Sequence, residues 1–194
     1  MAGQERSQGE RSVSILPGLD WSVRYGALCD CPVEPIVETL IDPDHPARLF
    51  HCVWEALARD PLPHRSELDP RDFPALLKWF MILERLPVAA GKGEQADYRV
   101  RLQGTAVAQM MHRELTGCRL SEFCSGEALA SRQRVLARAI HEAEPVFARA
   151  TVTGTNRACV EVSLGFFPFA GAEAGREQVI VVGAPSDRPL RQHL

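Results

Sequence analysis

No apolar run in this chain of 194 residues approaches the ~20 residues a membrane-spanning helix needs. The opening MAGQERSQGERS is polar and mixed in charge, so it lacks the apolar centre of a secretion signal. Both absences make the cytoplasm the expected location. Positive charge is not in excess: the net charge is −3, which argues against a broad electrostatic grip on nucleic acid. No two-residue spacing joins any pair of the cysteines. Cys29 and Cys31 stand one residue apart, unlike common zinc knuckles, and without a secretion signal the six cysteines are read as free thiols. No glycine-rich phosphate loop opens a helix, and Ser121, Ser125 and Ser163 lack the setting of a nucleophile elbow. Glu142 and Glu144 read as a solvated helix end. The expectation is a protein with no enzymatic activity, no metal and no assured cofactor.

What is present is globular. Hydrophobic residues make up 45% and charged residues 24%, enough to bury one core. Helix signals begin at Asp44 or His45, either able to cap, followed by Pro46 at a first helical position. Phe50, Val53, Trp54 and Leu57 then recur at helical spacing until Asp60-Pro61-Leu62-Pro63. A second short helix is expected from Asp69 through Phe73, Leu76 and Leu77. Lys78–Leu86, apolar on both faces, reads as a central strand, and Pro87–Ala96 as a hairpin loop. In Asp97–Gly117, DYRVRLQGTAVAQMMHRELTG, Tyr98, Val100 and Leu102 alternate with Arg99, Arg101 and Gln103. At Gly104 the period changes. Val107, Met110, Met111 and Leu115 share a helical face, and Gly117 suits a left-handed turn.

The longest helical pattern is Gly126–Ala143. Three strands follow, Val146–Thr153, Ala158–Phe169 and Gln178–Gly183, the first two joined by a turn at Gly154-Thr155-Asn156-Arg157. Two strands, several helices, then three strands describe an α+β fold with an antiparallel sheet. The two doubly apolar strands, Trp79–Leu83 and Val179–Val182, are expected side by side at its centre.

The order of these parts, with WEALARDPLPHRSELDP, LLKWFMILE and above all YRVRLQGT followed by ELTG, resembles a PAS domain. The similarity is to a stand-alone PAS-like family widespread in alphaproteobacteria, and it spans about Leu49 to Ala184. The resemblance implies a five-stranded antiparallel sheet of spatial order 2-1-5-4-3 with helices on one face and an N-terminal flanking helix. It divides the chain into an extension over residues 1–45, partly disordered, a PAS-like domain over 46–185 and a tail over 186–194. It implies a sensory or regulatory bacterial protein acting through a small ligand, a signalling partner or both. It further implies a homodimer through the flanking helix Ala47–Ala58 and the sheet. No segment is left for an attached kinase, cyclase or DNA-binding effector.

Two other readings stand beside this one. A haem- or other cofactor-binding redox sensor would use a histidine on the long helix; His141 is the candidate, although it shares the polar side with Arg134 and Arg138. His112 faces away from Val107 and Met111, Cys31-Pro32 is a bare dipeptide of haem-responsive type, and Cys118 and Cys124 lack the surroundings of a flavin photosensor. A structural interaction module with a filled core is the other reading. Arg132 interrupts the apolar face of the long helix, where a guanidinium must find a partner, reach water or meet a bound anion. It is the candidate ligand-binding cation for a carboxylate or phosphate group, with Met110, Met111, Phe123, Leu129 and Leu136 as the apolar wall.

Overall fold

The computed structural model describes residues 30–58, 62–87, 95–111, 113–153, 159–171 and 176–187. Its strands are β1 (Glu34–Ile36), β2 (Phe80–Arg85), β3 (Tyr98–Gln103), β4 (Val146–Thr153), β5 (Cys159–Phe169) and β6 (Gln178–Pro185). Its helices are α1 (Pro46–Leu57), α2 (Thr105–Met111), α3 (Leu120–Phe123) and α4 (Gly126–Glu142). The strands form one antiparallel sheet of order β1-β4-β5-β6-β2-β3. The five expected strands therefore lie in the expected order, with β2 and β6 paired at the centre. β1 is an addition, drawn from the N-terminal extension and laid along β4, with Glu34 opposite Arg149 and Ile36 opposite Phe147. Pro35 in its middle withholds an N–H and blunts that edge of the sheet.

The helices after β3 keep to one face, as expected, and the flanking helix takes the other. α2, α3 and α4 cover the inner face, while α1 lies across the outer face on β5 and β6. Phe50 of α1 sets its ring edge-on to Phe73, Phe80 and Phe167, with centroids at 5.7, 4.8 and 4.9 Å. Trp54 donates its indole N–H to the Pro168 carbonyl at 2.9 Å. Coverage on both sides explains why β5 is buried continuously from Val162 to Phe169.

Residues 62–79 also lie on the outer side, but not as the expected second helix. Asp69 accepts from Arg71 N–H as a cap should, yet only a 3-10 turn over Pro70–Asp72 forms, followed by another over Leu77–Trp79. Pro74 is the cause: it supplies no N–H and pushes Phe73 out of helical geometry, to φ −143 and ψ 50. The hairpin loop between β2 and β3 and the turn after β4 fall mostly outside the described residues. At the other end, β6 runs past the expected Gly183 through Ala184 and Pro185.

His45 pins α1 to the sheet. It is buried, accepts from Ala47 N–H through Nδ1 at 3.1 Å and donates from Nε2 to the Ala184 carbonyl at 3.1 Å. Burial holds its pKa below the ordinary 6.5, opposed by the Ala184 hydrogen bond and by Asp42. The unfolded chain thus takes up a proton at a higher pH than the folded one, and stability falls as pH drops below about 6.5. The loss stops growing once the folded-state pKa is passed. His45→Asn keeps a capping acceptor without titrating. In urea melts, the stability of the natural protein relative to this variant should decline with falling pH, by up to about 1.4 kcal/mol per pH unit. A pH-independent difference would contradict the assignment.

Candidate functional site

Between the inner face of the sheet and α2–α4 lies a cavity of about 60 Å³. Its floor is Met81 and Leu83 from β2, Leu164 and Phe166 from β5, and Val181 and Gly183 from β6. Its roof is Val107, Met110 and Met111 from α2, Leu120 and Phe123 from α3, and Arg132 and Leu136 from α4. The floor residues are every second residue of their strands, which is why they share one face. The roof exists because Gly104 turns the chain directly from β3 into α2. Gly104 N–H donates to the Phe80 carbonyl at 2.7 Å, and its own carbonyl accepts from Ala108 N–H at 2.9 Å.

Beyond α2, Leu115 is buried and its N–H donates to the Gln103 side-chain oxygen at 2.6 Å. Gly117, at φ 91, then lets its N–H return to the Val100 carbonyl at 2.8 Å. This glycine does not cap α2, as the sequence pattern implied. It re-seats the chain along the outer edge of β3.

Of the predicted ligand-binding residues, Met110, Met111, Phe123, Arg132 and Leu136 meet around this cavity. Leu129 does not line it; it is half-buried and packs against the core one turn before Arg132. Arg132 is 8% exposed. Its Nη1 donates to the Cys31 carbonyl at 2.6 Å and to the Ala128 carbonyl at 2.8 Å. Next to it, Ser131 Oγ accepts from Val33 N–H at 3.1 Å and donates to the Ala128 carbonyl at 3.2 Å. Arg132 and Ser131 together tie the segment before β1 to α4, so a residue in the cavity wall also holds the N-terminal segment. Sequence reasoning had Arg132 but missed Ser131 and this tether. A strand contributed by the segment 31–36 leaves no periodicity long enough to detect.

His141 lies exposed in the last turn of α4, and does not line the cavity. His112 lies outside the described residues. Cys31 and Cys118 are half-buried, Cys52 is exposed and Cys124 is buried; Cys29 and the Cys159 side chain lie outside the described residues. Among the described residues no cluster of histidine, cysteine and carboxylate side chains is arranged to hold a metal ion. None of their helices is long and apolar enough to cross a membrane. Among the described residues no histidine, cysteine or tyrosine lines the cavity, so none of them offers haem an axial ligand there. Its volume is also far below the ~300–1,000 Å³ of pockets for ligands of that size.

A family model described as a PAS domain matches residues 43–184, from just before α1 to within β6 and without β1. No curated protein matches the chain.

Proposed function

This chain belongs to the PAS domain family, and from that premise we propose that it is a non-enzymatic sensory or regulatory protein of the cytoplasm. It binds a small, mainly apolar molecule between the inner face of the sheet and α2–α4, and passes occupancy to a signalling partner. The observation that supports this reading is the cavity itself: apolar in its described lining, with Arg132 as the one charged residue among the described residues there. Its size admits a molecule of a few heavy atoms as it stands. Met110 and Met111 in the roof are the side chains best able to repack around something larger, because an unbranched thioether chain changes rotamer at small cost. An anionic end on such a molecule would meet Arg132, in competition with the Cys31 carbonyl. A homodimer would use the exposed side of α1 around Cys52, Glu55 and Ala56, because the apolar side is turned to the sheet.

The small volume supports a second reading, an interaction module whose core is filled by its own side chains. Native mass spectrometry of the protein purified from its own cells separates the two. A co-purifying mass that leaves on denaturation is the expected result, and Arg132→Ala should reduce the thermal stabilisation that the recovered compound gives back. No bound mass across repeated preparations would remove the ligand reading in favour of the filled module.

A further inference from the structure

The sequence places Leu102 with Tyr98 and Val100, facing inward, but the sheet turns it out. Val100 pairs with Leu83 and Leu102 pairs with Ile82, so Arg101 is an extra residue and the register shifts there. Such a bulge moves every following side chain to the opposite face. Tyr98 and Val100 stay buried at 1% and 0%, while Leu102 is 44% exposed on the outer face. There it forms one wall of a groove of about 500 Å³, with Ile82 and Phe80 as floor and Leu68, Phe73 and Leu77 as the opposite wall. Arg65 and Lys78 stand on that wall, both exposed, and among the described residues no carboxylate lines the groove. Among the described residues neither cation has an ion-pair partner; Lys78 Nζ sits 5.5 Å from the centre of the Trp79 ring.

An outward leucine on an edge strand is a liability a fold ordinarily avoids. Here a bulge creates it, beside an apolar trough flanked by two exposed cations. We propose that this outer-face groove docks an acidic amphipathic segment of a protein partner. Its leucine-type side chains would lie over Ile82, Phe73 and Leu102, and its carboxylates would face Arg65 and Lys78. The occupant is an acidic segment rather than a basic one because every charge in the lining is positive on a chain whose net charge is −3. A helix laid in a groove uses an apolar stripe of this width, with charged flanks setting orientation and specificity. The proposal is independent of whether the inner cavity takes a ligand, since the groove lies on the opposite face of the sheet.

The test uses a short fluorescent helix-forming peptide with leucines on one face and glutamates on the other, and the same peptide with lysines in place of glutamates. Anisotropy titration of the full chain should show saturable binding of the glutamate peptide that weakens with salt. Binding should fall at least about tenfold in Arg65→Glu/Lys78→Glu and in Leu102→Ser. These side chains are exposed, so the variants should melt close to the natural protein. Equal binding of the lysine peptide, no dependence on the three residues, or no binding by the folded chain would each overturn the proposal. Laurate bound at equilibrium dialysis with the same three-residue dependence, in place of the peptide, would reassign the groove to an amphiphile. A dimer by light scattering that Leu102→Ser dissolves would reassign it to a second copy.

Discussion

Gly104→Ala should cost about 3 kcal/mol of stability, the upper end of the usual penalty for overpacking, and lower the melting temperature by roughly 10 °C. A Cβ built on Gly104 would lie 2.5 Å from the Leu77 carbonyl oxygen and 2.5 Å from that of Lys78. Both are backbone atoms of the 3-10 turn that leads into β2, so no side-chain rotation can clear them. The chain is also held from the other direction, because Gly104 N–H donates to the Phe80 carbonyl at 2.7 Å. Relief therefore requires β3 or the turn to move, and α2 would move with it. The cavity roof begins at Val107, so the same substitution should alter the packing of Met110 and Met111 against the sheet. Thr105→Ala, at the exposed next position, is the control and should change little. Thermal melts of the two variants decide the matter; a Gly104→Ala protein as stable as the control would show that the close approach is not as described.

Phe50→Ala should cost about 3–5 kcal/mol, as for a large aromatic removed from a core. Phe50 is 0% exposed and meets three phenylalanine rings from two directions. Phe73 belongs to the segment before β2, while Phe80 and Phe167 belong to the sheet. Removing the central ring leaves the other three facing a void, and α1 loses its principal anchor on the outer face. The expectation from the sequence was a flanking helix serving a dimer. The two roles predict different results in urea melts run at several protein concentrations. A helix packed on its own sheet gives a destabilised variant whose midpoint is independent of concentration. A dimerisation helix would give a midpoint that shifts with concentration and a variant of lower mass by light scattering. The first result is expected; the second would show that the packing of α1 on the sheet is coupled to a subunit interface.

Much of this fold was legible because its signals are local. His45 and Pro46 mark the start of α1, the period of two marks β3, and Gly104 marks the switch to α2. The two strands apolar on both faces declare themselves central because only a strand covered on both sides can afford that pattern. The misreadings have equally specific causes. Pro74 was passed over in a stretch whose apolar spacing looked helical, and a missing N–H outweighed the spacing. β1 is three residues long with a proline in the middle, so its pairing with β4 has no periodic trace. Of the cavity lining only part of the helical roof was legible, because Met110, Met111 and Leu136 carry helical phase, while the strand floor was not named at all. Leu129 was misassigned because it stands one turn too early on α4 to reach the cavity.

By itself, the sequence determined the kind and order of the elements, the central pair of strands and the presence of a cation on the inner face of α4. Each depends on spacing along the chain. Only the tertiary structure decided that α1 lies across the outer face, that Arg132 holds the Cys31 carbonyl, and that Leu102 faces outward. Those depend on which strand or segment stands opposite: a strand's period says which residues share a face, but one extra residue in the strand relative to its pairing partner reverses the face from that point on. The groove beside Leu102 exists for that reason.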